Sequence, residues 1–581
     1  MEPSVGIDLG TTHSVVAHLD SSGRPWTIQN SEGDTTTPSA VFFDRRSIVV
    51  GKEALKVAEH EPERIAQFAK RDIGSRAFHN SICGTTYPPE VIEALVLQKI
   101  RDDAQRKLGN VRKAVVTVPA YFNEPRRKAT QDAGRMAGLD VLDIINEPTA
   151  AAIAYGVQQG FLDEAGESRM QETVLVYDLG GGTFDVTLMQ IDGRNYNAVA
   201  TAGDVYLGGI DWDARIAEFV AAQFQEEFGI DPRTDACANQ RLLAEAEEVK
   251  RSLSAREEVT IHFAHEGNRT RADLTRAKFQ ELTGDLLDRT LFTTRKVLSG
   301  GGKSWQDVTR LLLVGGSSRM PMVGEMLAQE SGFAVDRSLS PDESVAHGAA
   351  IYAGFLLADD SGEKHSVSVQ DVNSHDLGVL GVDRTTGTNR RRIMIARNTA
   401  LPALEQKRFT TLKAGQPNVV VNVVEGGDDS GNDATAIGTC RVTGLPVDLP
   451  AESIIEVTFK YETNGRLTVA ACLPEVKQQA SMVIERASGL TDEEIETWAQ
   501  RICNGLMDST EPPQVADKQI PLEFAERETS EQCSSQASEE DGDGVQRKAG
   551  GTAPTEAVAE SKAGGWKSRR VRVSAGDEDA N

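Results

Sequence analysis

The chain has 581 residues, and its 88 acidic side chains outnumber the 62 basic ones, so the formal net charge is -26 at pH 7. A surface this acidic repels phosphate backbones and anionic lipid headgroups, which argues against nucleic-acid and membrane-surface partners. A nucleotide pocket is not excluded, because backbone N–H groups and a metal ion hold phosphates there.

The sequence shows neither a secretion signal at its N-terminus nor an apolar run of about 18 residues. The six cysteines have no metal-ligand spacing. A cytoplasmic, reducing location is therefore expected.

Strands and helices alternate through the first 360 residues. Short apolar runs predict strands at residues 5–9, 114–118, 174–177 and 311–314. Residues 89–108 carry apolar side chains at helical spacing. This alternation is typical of an α/β sheet architecture.

The pattern changes beyond residue 360. Residues 361–371 are polar and predict a linker. From residue 372 to residue 487 the apolar side chains alternate as they do in strands, and Asn464-Gly465 between two alternating runs is a strong hairpin signal. We therefore expect a compact β domain there.

One further helix is predicted within residues 488–508, where Thr491 and Glu494 form a capping box at its start. Residues 509–581 are rich in Glu, Ser, Gly and Ala and poor in aromatic residues. Because such a composition cannot bury enough apolar surface to fold, this acidic tail is expected to be disordered.

Two segments repeat one arrangement, in which an apolar strand is followed by an acid, a glycine turn and a threonine. They are residues 6–12, with Asp8 as the acid, and residues 176–183, with Asp178. Glycines let backbone N–H groups approach an anion closely, and a carboxylate can hold Mg²⁺ through water. Either segment alone could be an ordinary glycine turn, whereas two in an α/β context favour a site that clamps a polyphosphate from both sides.

A third glycine turn follows the strand at 311–314. Gly315 and Gly316 lead from that strand into a helix, and Arg319 comes soon after. The flat backbone of this turn can pack against the face of an adenine or a ribose. The planar guanidinium of Arg319 can stack on the base. Standing alone, the segment would be interpreted as a tight strand-to-helix turn.

These three segments, in this order, resemble the actin-like ATPase clan and, within it, the heat-shock protein 70 (DnaK-type) chaperones. Four further stretches match that family closely, namely residues 116–123, 145–151, 207–211 and 340–343. The resemblance extends over about residues 4–500 and is most specific in the first 360. It identifies the chain as a divergent member with a short lid.

The resemblance implies an α/β fold that begins with an actin-like (ribonuclease H-like) two-lobed ATPase domain at residues 1–360. A linker at 361–371 leads to a β-sandwich peptide-binding domain at 372–487. A short lid-like helix within 488–508 and a disordered tail at 509–581 follow.

The resemblance also implies ATP hydrolysis. Lys70 matches the lysine that orients the γ-phosphate and the attacking water, and Glu147 matches the residue that positions water and metal. Asp8 and Asp178 match the acids that hold Mg²⁺ through water, and Thr183 matches a threonine near the γ-phosphate. The implied phosphate and adenosine contacts are Gly10, Thr11, Thr12, Gly180, Gly181, Gly182, Gly208, Gly209, Glu247, Lys250, Arg251, Ser254, Gly315, Gly316, Ser317, Arg319 and Asp342.

In the β domain the resemblance is to a sandwich that binds extended peptides. The residues that fall where the family lines its peptide cleft are Val379, Val382, Phe409, Leu412, Val419 and Val421. An apolar segment would form main-chain hydrogen bonds there and insert side chains into the cleft. For each residue, the alternative is an ordinary place in the sandwich core.

The implied function is that of an ATP-dependent molecular chaperone that binds exposed hydrophobic segments of unfolded proteins. The alternative is a nucleotide-binding holdase or scaffold whose peptide binding is weakly coupled to hydrolysis. ATP or ADP and Mg²⁺ are the implied cofactors, with K⁺ as a further candidate ion. A J-domain protein and a nucleotide exchange factor are candidate partners, and the chain is expected to be monomeric.

Several positions depart from the family pattern. His13, beside the first phosphate turn, replaces an asparagine, either as a tolerated polar exchange or as a catalytic histidine. Asp143 replaces an arginine, and the linker at 367–371 is less apolar than the family's leucine run. If the family geometry holds, Asp143 faces Asp371, and like charges would disfavour linker docking and weaken coupling and J-domain stimulation.

Two segments are shorter than in relatives, between Lys70 and Pro119 and across 257–275, and the second belongs to the face that binds exchange factors in the family. With one helix in place of the family's helical lid, we expect bound peptide to be released quickly.

Overall fold

The computed structural model describes residues 3–160, 171–360, 367–383, 386–463, 465–474, 478–483, 485–486 and 489–506. They all belong to one compact unit, Met1–Lys518. The tail predicted at 509–581, Asn464 of the predicted hairpin and residues 361–366 of the predicted linker lie outside the described residues. No helix within the described ranges is long and apolar enough to cross a membrane.

A mixed sheet with flanking helices forms the first lobe. Its elements are β1 (Ser4–Asp8), β2 (His13–Leu19), β3 (Pro25–Thr27), β4 (Thr37–Pro38), β5 (Ala40–Phe43), β6 (Ile48–Val50), α1 (Lys52–Ala58), β7 (Ile65–Gln67), α2 (Pro89–Leu108), β8 (Lys113–Val118), α3 (Glu124–Met136), β9 (Asp140–Asn146) and α4 (Glu147–Gln158). The main sheet has the order β3-β2-β1-β8-β9, and β6-β5-β7 form a small second sheet. Strand β8 pairs in parallel with both neighbours and is buried along almost its whole length, which explains its continuous apolar sequence.

The second lobe repeats this plan. Its elements are β10 (Gln171–Leu179), β11 (Phe184–Asp192), β12 (Asn195–Asp204), α5 (Gly209–Phe228), α6 (Ala236–Ala255), β13 (Glu258–His265), β14 (Asn268–Thr275), α7 (Arg276–Gly300), β15 (Arg310–Val314), α8 (Pro321–Ser331) and α9 (Ser344–Asp360). Strands β15-β10-β11-β12 form its main sheet, and the linker strand β16 (Ser368–Gln370) extends this sheet at the β12 edge.

Helices α4 and α9 join the two lobes. They share one apolar core with strands β8 and β10. A Cβ atom at Gly348 of α9 would lie 1.8 Å from the carbonyl oxygen of Ala150 in α4, so glycine is required for this close crossing. The tight crossing fixes the two lobes relative to each other and thereby sets the width of the space between them.

Two antiparallel sheets form the β domain. Its strands are β17 (Leu377–Val382), β18 (Asn389–Ile395), β19 (Ala403–Thr410), β20 (Asn418–Gly426), β21 (Ala434–Thr443), β22 (Ile454–Tyr461), β23 (Leu467–Leu473), β24 (Gln478–Val483) and β25 (Glu485–Arg486), and helix α10 (Asp492–Cys503) follows. The sheet orders are β18-β17-β20-β21-β25 and β19-β22-β23-β24. Strands β22 and β23 pair from Tyr461 with Leu467 onward, which confirms the predicted hairpin.

Helix α10 packs on the first lobe. Its apolar face, made of Ile495, Trp498 and Ile502, is buried in the same core as helices α2 and α3. The ring of Trp498 lies 6.1 Å from that of Tyr87, and the guanidinium of Arg501 lies 4.3 Å from the Trp498 ring centre. The predicted capping box at Thr491 is present. The sequence could not show the contact of α10 with the core of the first lobe, because an amphipathic pattern does not indicate which surface covers the apolar face.

Candidate nucleotide site

Two acidic side chains from different lobes face one cavity. Asp8 ends β1, Asp178 lies one residue before the end of β10, and both line a cavity of about 580 Å³. Each strand turns back into an antiparallel neighbour directly after its acid. The ends of two buried strands therefore carry the two carboxylates to the same space.

The two glycine turns meet across this cavity. A Cβ atom at Gly181 would lie 2.2 Å from Oγ1 of Thr12, and one at Gly182 would lie 2.3 Å from Cγ2 of Thr11. Such separations are too short for real Cβ atoms, so only glycine fits at both positions. Backbone N–H groups of both turns can therefore approach one anion from opposite sides.

Lys70 and Glu147 form a buried ion pair at the cavity, in which Nζ lies 2.6 Å from Oε1. Lys70 belongs to a short 3-10 turn, Ala69–Arg71, that follows Phe68. The backbone of Phe68 is left-handed, with φ of 63°. Bulky residues rarely adopt this conformation, and such strain is concentrated at functional sites.

Burial controls the proton affinity of the acids around the cavity. Burial, followed by the Glu147 carboxylate, raises the pKa of Asp8 to about 7 and that of Asp178 well above its usual range. The same causes raise the pKa of Asp185 to about 8. Burial lowers the pKa of Lys70, but Glu147 and Asp8 outweigh it, so the pKa is raised and the ammonium form is favoured.

This charge arrangement fits a divalent cation. The carboxylates of Asp8, Glu147 and Asp178 line the cavity beside the ammonium group of Lys70. Their proximity and burial leave negative charge that a bound Mg²⁺ would compensate. Within the described ranges, no three His, Cys, Asp or Glu side chains are arranged to hold an ion directly.

Helices α5 and α6 and the β15–α8 connection line another part of the cavity. Nζ of Lys250 lies 2.7 Å from Asp213 and donates a hydrogen bond to the carbonyl oxygen of Gly209 at 2.9 Å. The guanidinium of Arg319 lies 2.5 Å from Asp342. These pairs give the cavity a polar wall on the side where the sequence predicts adenosine contacts.

Most of the residues predicted from the sequence come together here. Those that line the cavity are Asp8, Gly10, Thr11, Thr12, Lys70, Glu147, Asp178, Gly180, Gly181, Thr183, Glu247, Lys250, Arg251, Ser254, Gly315, Gly316, Ser317, Arg319 and Asp342.

Three predicted glycines are not among the lining residues of this cavity. Gly182 touches Thr11, as described above. A Cβ atom at Gly208 would lie 2.5 Å from the carbonyl carbon of Gly182, and one at Gly209 would lie 2.3 Å from Oγ of Ser317. These three glycines therefore allow the walls of the cavity to pack closely, because a larger side chain would not fit.

Sequence reasoning missed Asp185, Asp213 and Arg71. Arg71 donates to the carbonyl oxygen of Gly182 at 3.0 Å and pairs with Asp211 at 2.5 Å, so it links the Lys70 turn to the second lobe. Its position next to Lys70 was a usable signal. Asp185 and Asp213 lie within regular elements, where no local pattern distinguishes a site residue from any other.

The residues predicted for a peptide cleft fall into two groups. Val379, Val419 and Val421 are buried in the sandwich core, and Phe409 packs half-buried against it. The side chains of Val382 and Leu412 are exposed, with fractions of 48% and 53%. Both are large apolar side chains in contact with solvent, next to the ends of β17 and β19.

The described part of the linker, residues 367–371, is docked on the second lobe. Strand β16 pairs in parallel with β12, and Oγ1 of Thr149 in α4 donates to Asp371 at 2.8 Å. Asp143 accepts a hydrogen bond from Tyr352 at 2.9 Å. Burial comes first among the causes that raise the pKa of both carboxyls, and Asp371 raises that of Asp143 further.

In this structure the described part of the linker is docked, although like charges were expected to disfavour docking. Asp143 and Asp371 are close enough to interact, as the family geometry implied, yet the linker stays docked. Each carboxylate accepts a hydroxyl hydrogen bond, and the nearby Arg127 stabilises the charged form of both. These contacts oppose burial and repulsion only in part, because the pKa values of both carboxyls remain raised.

The β domain also contacts both lobes directly. The rings of Tyr121 and His375 lie 4.1 Å apart. Arg397 donates to the carbonyl oxygen of Thr201 at 2.5 Å, and the backbone N–H of Glu124 donates to a carboxylate oxygen of the buried Glu425 at 3.1 Å. The interface therefore includes polar contacts of both lobes.

Comparison with known proteins agrees with this architecture. The sequence pattern of the family described as "Hsp70 protein" matches residues 4–563. The chaperone protein DnaK from each of two strains of Halobacterium salinarum is 41% identical over 502 residues, which cover 85% of this chain and 77% of the relative. The chain belongs to the Hsp70 protein family.

Proposed function

We infer that this chain is an ATP-dependent molecular chaperone that hydrolyses ATP between its two lobes. Membership of the Hsp70 family, with 41% identity to DnaK over most of the chain, supports this function. The observation that carries it is the approach of two glycine turns, each preceded by an acid, across one cavity. No observation favours the alternative of a holdase that is uncoupled from hydrolysis, since the linker is docked.

The residues proposed for catalysis are Lys70, Glu147, Asp8, Asp178 and Thr183. In hydrolysis, water attacks the γ-phosphorus, the bond to the β–γ bridging oxygen breaks, and ADP leaves with the electron pair. The Lys70 ammonium stabilises the negative charge on the transferred group, and the Glu147 carboxylate orients the attacking water. The hydroxyl of Thr183 can donate to the γ-phosphate.

Asp8 and Asp178 would hold Mg²⁺ through water, and the ion would supply positive charge at the phosphate oxygens. The excess of buried carboxylates over ammonium groups at this point supports the assignment. K⁺ is a second candidate ion. The remaining cavity residues, from the glycine turns and α6, are proposed to bind phosphates and adenosine.

We assign peptide binding to the β sandwich. Exposed Val382 and Leu412 are suited to direct contact with an extended apolar segment, whereas Val379, Val419 and Val421 would form the floor beneath it and Phe409 one side. Burying apolar side chains of the peptide against this surface supplies the binding free energy.

The proposed domain boundaries are 1–360 for the ATPase domain, 361–371 for the linker, 372–487 for the sandwich and 488–508 for the lid-like helix. A J-domain protein and a nucleotide exchange factor are proposed partners. A monomeric, cytoplasmic protein without nucleic-acid or membrane partners agrees with the acidic composition.

The function is tested by the ATPase rate of the full chain, alone, with an unfolded apolar peptide, and with a J-domain protein added. Stimulation of several-fold by peptide supports a coupled chaperone. An unchanged rate with tight peptide binding would instead support the holdase, and no hydrolysis under any condition would contradict both the activity and the assigned site.

A further inference from the structure

His13, for which the sequence left open a tolerated polar exchange or a catalytic histidine, faces the nucleotide cavity. It begins β2, directly after the first glycine turn, and it lines the cavity together with Thr11 and Thr12. A Cβ atom at Gly10 would lie 2.0 Å from the carbonyl oxygen of His13, so the turn closes tightly onto this residue. The histidine is therefore held at the edge of the proposed phosphate site.

The charged groups that face the His13 ring come from α6 and from the segment before α9. They are Glu247, Lys250, Arg251 and Asp342. All four already have partners: Lys250 pairs with Asp213, Arg251 with Glu247 and Glu248, and Asp342 with Arg319. The His13 ring itself makes no hydrogen bond or ion pair with any residue that the structure describes.

Burial favours the neutral form of the His13 imidazole in this structure. Burial lowers the pKa of His13, and Glu247, the next cause in size, opposes that effect only in part. A polyphosphate carries several negative charges, and opposite charge within about 4–6 Å favours the protonated form of histidine. A nucleotide in this cavity would therefore raise the pKa of His13, which burial lowers.

We propose that His13 contacts the bound nucleotide and takes up a proton from solvent when the polyphosphate enters, so that nucleotide binding tightens as the pH falls. The inference rests on the proposed nucleotide site and adds a proton to its binding reaction. The proton goes to the ring nitrogen that lacks one, which turns the neutral ring into a cation that donates from both nitrogens.

The direction in which nucleotide affinity changes with pH follows from thermodynamic linkage between proton and nucleotide binding. If the bound state has the higher pKa, affinity is unchanged far above that pKa, rises as the pH falls through it, and levels off below the pKa of the free protein. A difference of one pKa unit corresponds to about a tenfold change in the dissociation constant. We expect a change of at least this size between pH 8 and pH 5.5, since burial and phosphate act in opposite directions.

The test is calorimetric titration of the full chain with MgADP from pH 5.5 to pH 8, in two buffers of different ionisation enthalpy. The wild type should take up a fraction of one proton per nucleotide. His13→Asn should bind MgADP with less proton uptake and a flatter pH profile, because asparagine does not titrate. His262→Asn, at an exposed position on β13, is the matched control and should behave as wild type.

Comparing the two proteins separates His13 from the other groups that titrate in this range, including Asp8 and the nucleotide itself, because these remain in the variant. In addition, the imidazole proton resonance of His13, assigned by its loss in His13→Asn, should show a pKa that rises on addition of MgADP. This measurement on the wild type remains decisive if the variant folds poorly.

Equal proton uptake in wild type and His13→Asn, or a His13 resonance whose pKa does not move, would overturn the proposal while leaving the nucleotide site intact. Failure of the wild type to bind MgADP at any pH would overturn the proposed function instead. The two failures are therefore distinguishable.

Discussion

Nζ of Lys70 lies 2.6 Å from Oε1 of Glu147, and both side chains are almost completely buried, with exposed fractions of 2% and 8%. Asp8 lies near enough to raise the pKa of the lysine further. Burying the Lys70 ammonium group costs desolvation free energy, and the ion pair with Glu147 offsets this cost. The same ammonium group also lines the cavity, where a ligand can contact it. Lys70 and Glu147 therefore have two roles: their ion pair stabilises the first lobe, and both side chains belong to the proposed catalytic site.

Lys70→Ala should reduce ATP turnover by about 10²–10³-fold, because a fixed positive donor to the transition state is lost. ATP binding should remain measurable, since the glycine turns are unchanged. The variant is measured by single-turnover hydrolysis and by equilibrium binding. Lys52→Ala, which removes an exposed ion pair with Asp34, should leave both quantities unchanged. Normal turnover in Lys70→Ala would remove the lysine from the catalytic set.

Gly182→Ala should weaken nucleotide binding about tenfold or more. Its new Cβ atom would lie 2.3 Å from Thr11, so the two turns must separate, and overpacking of this kind costs about 1–3 kcal/mol. Calorimetric binding of MgADP measures the effect. Gly284→Ala, where a Cβ atom meets nothing within 4 Å, is the matched control. Equal affinity in the two variants would show that the turns do not need their close approach.

Linker docking should become more favourable as the pH falls. Burial, ahead of any other cause, raises the pKa of Asp143 and of Asp371 in the docked state, so this state binds protons more tightly than an undocked one. Docking therefore becomes more favourable as the pH falls through the raised pKa values of the two carboxyls. It becomes less favourable as the pH rises through the same values. Energy transfer between labels on the ATPase domain and the sandwich measures docking.

Asp143→Asn should strengthen docking at pH 8 and flatten this pH profile, because the like-charge repulsion disappears while a polar partner remains for Tyr352. Asp140→Asn, at the exposed start of the same strand, is its control. If the pH profile of docking is the same in Asp143→Asn and in the wild type, the Asp143–Asp371 pair is not the cause of the pH dependence.

Trp498→Ala should release helix α10 from the first lobe. The indole is 1% exposed and packs against Tyr87, and loss of a buried tryptophan costs about 3–5 kcal/mol. Amide hydrogen exchange in α10 and α3 should accelerate by several orders of magnitude. Glu496→Ala, on the exposed face of the same helix, should leave the exchange rates unchanged. Unaltered protection in Trp498→Ala would mean that other contacts hold the helix.

Leu412→Asp should weaken binding of an apolar peptide by at least about tenfold, because burial of a leucine side chain contributes about 1.5–3 kcal/mol. Fluorescence anisotropy with a labelled peptide gives the dissociation constant. Leu404→Asp changes another exposed leucine, six residues upstream of the Thr410 end of β19, and should have a small effect. If both variants bind peptide as wild type does, the cleft lies elsewhere.

The two acid–glycine–threonine turns, the alternation of strands and helices, and the β domain with its hairpin could all be predicted from the sequence. These features depend on neighbouring residues, since backbone conformation at glycine and side-chain periodicity are local properties. The capping box of α10 belongs to the same class. The resemblance to a chaperone family could likewise be established from contiguous motifs.

Which side chains come into contact could not be predicted from the sequence and follows from the three-dimensional fold. Burial of Val419 and Val421, the docking of α10 on the first lobe, and the role of Gly208 and Gly209 in packing all depend on residues distant in sequence. The same holds for the electrostatics. Because desolvation depends on surrounding atoms from many segments, no local pattern could show that burial raises the pKa values of Asp8 and Asp185.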